Sequence, residues 1–103
     1  MILGRIIGKV TPSDFTFKVE KETKKFEYVQ VYHPVYDYVL CQIIDLEKTI
    51  DGTIAKCKTI GHKDKDDKVK AIRIPFDLGT EVLEAEDEFI KNIIKLDEEN
   101  KGA

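Results

Sequence analysis

Few residues in this chain have the type and spacing that chemistry requires. Gly4-Arg5-Ile6-Ile7-Gly8-Lys9-Val10 resembles a phosphate-binding loop, but three residues separate its glycines where GxxxxGK[ST] needs four. Val10 also stands where that loop carries a Mg²⁺-binding hydroxyl, and the segment alternates like a strand with no helix after it to aim backbone N–H groups at a phosphate. The soft metal ligands are Cys41, Cys57, His33 and His62, and none forms a CxxC, HxxxH or CxxH pair. Acid pairs such as Asp66-Asp67 and Glu86-Asp87 lie in hydrophilic stretches that read as solvated charge, because nothing there would raise a carboxylate pKa. No nucleophile and base stand together in the sequence, so no catalytic residue, metal ligand or cofactor-binding residue is expected in this chain.

The cysteines follow from the turn that places them. Asp51-Gly52 is the strongest hairpin signal, and a two-residue type I′ turn there would set Ile50 opposite Thr53, Leu46 opposite Cys57, and Cys41 opposite His62. The thiols would then be offset by five residues, about 16 Å along the strands and far beyond disulfide reach. They read as small reduced core residues, with the Cys41 and His62 neighbourhood at most half a metal site.

A richer feature is the aromatic series Phe26, Tyr28, Tyr32, Tyr36 and Tyr38, with Lys18, Lys21, Lys24 and Lys25 near by. On a small barrel this could form a base-stacking platform, with Lys21, Lys24 and Lys25 as nucleic-acid contacts. Against that, Phe26, Tyr28 and Tyr32 share one strand face as buried residues would, and Glu20, Glu22 and Glu27 interleave with the lysines. The apolar hairpin tip, Tyr32 with His33-Pro34-Val35-Tyr36, is the expected partner interface, since loop tips are usually polar; the plainer alternative is a tip tyrosine folded over its own barrel.

The elements that must position these residues are mostly strands. Short alternating runs punctuated by turn residues read as Ile2 to Val10, Phe15 to Val19, Phe26 to His33, Tyr36 to Leu46, Thr53 to Gly61 and Val69 to Ile74. A short seventh at Glu81 to Glu84 is also expected. Alternation in the first strand puts Ile2, Gly4 and Ile6 on one face and Leu3, Arg5 and Ile7 on the other, and its glycines point to a bulge. Val39 to Ile44 is apolar on nearly both faces, as a central strand would be. The period then changes: Phe89, Ile93 and Leu96 fall at i, i+4 and i+7, with Glu86, Asp87 and Glu88 at the start and Lys91 and Lys95 nearer the end, an amphipathic helix suited to its dipole. The expected fold is a mainly β, closed six- or seven-stranded antiparallel Greek-key barrel over 1–85, capped by a helix over 86–96, with 97–103 as tail or linker.

Size and composition bound the rest. At 103 residues, 42% hydrophobic and 36% charged, with three prolines and six glycines, the chain has one modest core, and disorder and collagen-like repeats are excluded. Residues 81–103 hold eight acids and three lysines, net −5, which leaves +2 on the first eighty and no dominant basic surface of the kind that lives on phosphate. No apolar run reaches about 18 residues and no signal-peptide pattern opens the chain, so a cytoplasmic protein without membrane contact is expected. The absence of Trp and the abundance of Lys and Glu lean toward a thermophilic source.

Three segments in order carry a resemblance. They are Leu3-Gly4-Arg5-Ile6-Ile7-Gly8-Lys9-Val10 with its Thr11-Pro12 turn; Glu27-Tyr28-Val29-Gln30-Val31 with Val39-Leu40-Cys41-Gln42-Ile43; and Ile74-Pro75-Phe76-Asp77-Leu78-Gly79-Thr80-Glu81-Val82-Leu83-Glu84-Ala85 before the helix. Over residues 1–96 the chain resembles the N-terminal HAS barrel of archaeal HerA-type bipolar DNA helicases, a module shared with rotary ATP synthase subunits. It departs from the family where Cys41-Gln42 replace a usual Gly-Arg pair. The resemblance implies a non-catalytic collar domain that holds a homo-hexamer together, docks a NurA-type nuclease and meets DNA through the full assembly in double-strand break repair. It also implies a motor domain beyond this chain, which would supply the ATP and Mg²⁺ chemistry. A free-standing oligonucleotide-binding barrel and the crown domain of a rotary ATPase subunit are the other readings.

Overall fold

Alternation of apolar and polar residues becomes a closed barrel in the computed structural model, which describes residues 1–101. Seven strands and one helix follow one another: β1 (Ile2–Ile7), β2 (Asp14–Val19), β3 (Tyr28–His33), β4 (Asp37–Thr49), β5 (Gly52–Lys63), β6 (Val69–Lys70), β7 (Glu81–Glu84) and α1 (Asp87–Lys101). The ladder runs β2-β1-β7-β3-β4-β5, and β5 returns to pair with β2, closing six antiparallel strands; β6 extends the far end of β5. Closure leaves none of the six with a free edge over its paired length. The interior is filled by side chains, among them Ile6, Phe15, Phe17, Val31, Ile43 and Val82, each at most 2% exposed.

Local chemistry sets the turns. Before β2, the Thr11 hydroxyl oxygen accepts the N–H groups of Ser13 and Asp14 at 3.2 and 3.1 Å, which fixes the corner and starts Phe15, Phe17 and Val19 inward, as their alternation predicts. In the β4–β5 hairpin, Thr49 pairs with Gly52, so Ile50 and Asp51 occupy the centre of the turn. Only Gly52 there has positive φ, +125°, so this is not the expected type I′ turn on Asp51-Gly52. The register moves accordingly. Leu46 faces Ala55, and a bulge between Ile43 and Asp45 then sets Cys57 against Ile43 and Cys41 against Thr59.

A further bulge, between Ile2 and Gly4, breaks the expected alternation at the start of β1: Gly4 and Ile6 stay on one face and Arg5 and Ile7 on the other, but Leu3 turns inward with Ile6 and Ile2 is left exposed. The expected sixth strand over Val69 to Ile74 shrinks to two residues, because Ile72 turns into the barrel and the backbone beyond it bonds to side chains instead of a ladder. The helix begins at Asp87 and continues to Lys101, past the expected end at Leu96; 102–103 of the expected tail lie outside the described residues. It packs on the outer wall of the barrel and does not cap an opening. Ile93 and Ala85 meet Leu40, which faces out of β4 between the inward Val39 and Cys41, with Tyr28, Ile60 and Val69 around it. Among the described residues no helix is long and apolar enough to cross a membrane.

Gly4 is where strand packing is tightest. A Cβ there would collide with the Lys18 carbonyl oxygen and lie 2.7 Å from the Phe17 ring. Gly4→Ala should therefore cost about 1–3 kcal/mol in urea unfolding; an unchanged midpoint would contradict this packing.

A tyrosine-lined candidate docking surface

The β3–β4 hairpin divides the expected interface residues into two sets. His33 is buried, and its ring nitrogens are both engaged. The Val35 N–H donates to Nδ1 at 3.0 Å, so the proton sits on Nε2, which faces the carbonyl oxygens of Ile74 and Pro75 at 3.2 and 3.3 Å. Tyr36 folds back over the barrel. Its hydroxyl oxygen accepts the Arg73 N–H at 3.0 Å, and its ring lies 4.7 Å from those of both His33 and His62. Phe76 continues the stack, 5.4 Å from His33 and 5.4 Å from Phe15, so one run of rings joins the core to the barrel end. Asp37 closes the tip at φ +66°, a conformation Asp tolerates, with its carboxylate accepting the Tyr38 N–H at 2.9 Å.

What remains outside is Tyr32, Pro34 and Val35, joined across the ladder by Tyr38. Tyr32 and Tyr38 form an exposed edge-to-face pair with centroids 5.5 Å apart. The face shared by Tyr28 and Tyr32 is thus the outer one, contrary to the expected burial, because Val29, Val31 and His33 take the interior. The register then sets Leu83 of β7 opposite Gln30 on one side and Ile2 on the other, which extends the tyrosine surface across three strands. Sequence reasoning missed Leu83, Ile2 and Met1 here. Alternation in Glu81-Val82-Leu83-Glu84 marks Leu83 as outward, but nothing local reveals that β7 inserts between β1 and β3.

The expected stacking platform is not assembled. Phe26 lies before β3 at φ +74° and is 62% exposed, with the Lys25 ammonium 5.2 Å from its ring. Lys21, Lys24 and Lys25 are exposed at that end, and Lys21 shares its depression with Glu20 and Glu22. Tyr32 and Tyr38 lie at the other end of β3, so the lysines and the tyrosine pair are not brought together.

No family model and no curated protein matches this chain.

The remaining candidates for chemistry are occupied by structural roles. Among the described residues no three His, Cys, Asp or Glu side chains converge as a metal site requires, and Cys41 faces Thr59 instead of its expected partner His62, which stacks on Tyr36. Asp64 organises the 63–68 loop, accepting the N–H groups of Lys68 and Asp66 at 3.0 and 2.9 Å; the Lys68 bond leads in holding its carboxyl below the usual range. The two thiols are closer than expected. Cys57 faces Ile43, which puts it diagonal to Cys41, about 7–8 Å away between backbones and beyond a bridge.

Burial pushes the Cys41 thiol well above 9.0, with the neighbouring Cys57 adding to the shift, and burial raises Cys57 from 9.0 to about 12. Both thiols stay protonated in the fold at a pH where the unfolded chain ionises them. Their contribution is complete below pH 9 and is lost as pH rises above it, for Cys57 between about 9 and about 12. Urea midpoints should fall more steeply over that window than in Cys41→Ala/Cys57→Ala, and equal slopes would contradict the burial argument.

Proposed function

We propose that this chain is a non-catalytic assembly and partner-docking barrel, of the type its sequence resembles at the N-terminus of HerA-type DNA translocases, working in the cytoplasm as part of a hexameric collar that docks a nuclease. The observation that carries this reading is the exposed Tyr32–Tyr38 pair, with Val35 at 63% exposure beside it, on the outer wall of a barrel whose interior is packed. Buried side chains fill the inside, so recognition belongs to the outer wall, and a closed ladder holds that wall rigid. Aromatic residues standing proud of a rigid wall are the kind of anchor that protein interfaces bury. ATP and Mg²⁺ belong, in this reading, to a motor outside these residues.

A second reading, an oligonucleotide-binding barrel, draws on the exposed Phe26 with Lys25 over its ring. The mixed charges around Lys21, where Glu20 and Glu22 line the same depression, favour the first.

Sequencing the native locus beyond codon 103 separates the two. A reading frame that continues, within about 200 codons, into a strand followed by GxxxxGK[ST] is the expected result. A stop codon close to position 103 would overturn the collar reading and leave the free-standing barrel.

A further inference from the structure

We propose that the outer face of β1, β7, β3 and the start of β4 binds a basic, arginine-bearing segment of a partner protein. This rests on the docking reading and adds the chemistry of what docks. Tyr32 and Tyr38 are 51% and 39% exposed, and their edge-to-face packing leaves ring face open to solvent. Ring faces carry negative potential and attract cations, guanidinium most readily because it also stacks.

The charge around the pair has the same sign. Three depressions adjoin it: the first is bordered by Asp37 and Glu86, the second by Glu84 and Asp87, the third by Asp77 and Glu81. Lys63, which Asp67 already engages at 3.5 Å, is the only side-chain cation lining them among the described residues, and the Met1 α-ammonium at the second is one positive charge against the six carboxylates. Arg5, opposite Glu81 on β1, is likewise engaged, by Glu20 at 3.2 Å. A phosphate backbone would meet uncompensated carboxylates here, whereas a guanidinium meets both ring faces and carboxylates it can bind in a bidentate manner. Leu83 and Ile2 supply apolar contact between the depressions. Because the ladder on both sides of β7 and β3 is filled, the segment must lie across side chains and cannot add as a strand.

The test titrates the ¹⁵N-labelled chain with the blocked peptide Arg-Leu-Arg-Leu-Arg, its glutamate counterpart, and a thymidine oligonucleotide. The arginine peptide should give saturable, salt-sensitive shifts at the amides of Tyr32, Tyr38 and Leu83. Tyr32→Ala/Tyr38→Ala and, separately, Glu81→Lys/Glu86→Lys should each weaken binding at least about tenfold. All four side chains are exposed, and unchanged core resonances of Val29 and Ile43 verify the fold. No saturation by about 1 mM peptide, an equal response to the glutamate peptide, or saturation of the same amides by the oligonucleotide would overturn the proposal. The outcome is independent of whether the locus encodes a motor, so this surface and the collar reading fail separately.

Discussion

The barrel depends on how His33 holds the 71–80 connection. That connection leaves β6 at one end of the ladder and must deliver β7 between β1 and β3, yet it has almost no ladder of its own. One imidazole solves the problem by fixing its tautomer locally, against the Val35 N–H, and spending its remaining proton on the carbonyls of Ile74 and Pro75. Tyr36 takes the adjacent Arg73 N–H, Phe76 inserts between His33 and Phe15, and Ile6 of β1 then accepts the Gly79 N–H and donates its own to the Thr80 carbonyl, just before the closing strand. Without that clasp β1 and β3 would present open edges, and an open sheet of this size pairs with other chains.

The same clasp decides which residues of the hairpin remain for recognition. His33 and Tyr36 are consumed by closure, which leaves Tyr32, Pro34, Val35 and Tyr38 outside. Period-two alternation places Tyr32 outward because Val31 and His33 go in, and the cross-strand partner Tyr38 is then forced to the same face. The acidic segment that begins at Glu81 folds back beside this face through β7 and the start of α1, so the charge asymmetry visible in the chain becomes a local property of one surface.

Much of this architecture was legible in the residues, in proportion to how local its causes are. β2 and β7 were readable from alternation, and the helix from Phe89, Ile93 and Leu96, because each pattern lies within a few residues. The apolar doubling of Val39 to Ile44 correctly marked a central strand, since Val39, Cys41 and Ile43 enter the barrel while Leu40 lies under the helix. Registers were not readable. Asp51-Gly52 signals a turn but not which residues occupy its centre, and that one ambiguity, with a bulge, moved Cys57 from Leu46 to Ile43. The face of β3 was misread for a related reason: Tyr28 and Tyr32 alternate with Val29, Val31 and His33, both sets are apolar enough for a core, and only the arrival of β7 decides between them. His33 shows the limit most clearly, because its partners lie 41 and 42 residues away in a segment that carries no pattern.

Native-state hydrogen exchange tests most directly whether the clasped connection belongs to the barrel's cooperative unit. The Ile6 and Gly79 amides bond across the closure, to Thr80 and Ile6, while the Ile43 amide bonds within the β3–β4 region, to Glu27. Under rising denaturant the account predicts that all three exchange only with global unfolding, along one common isotherm. Exchange of Ile6 and Gly79 through a low-energy opening, while Ile43 stays protected, would contradict it and make the molecule an open sheet with a loosely held strand.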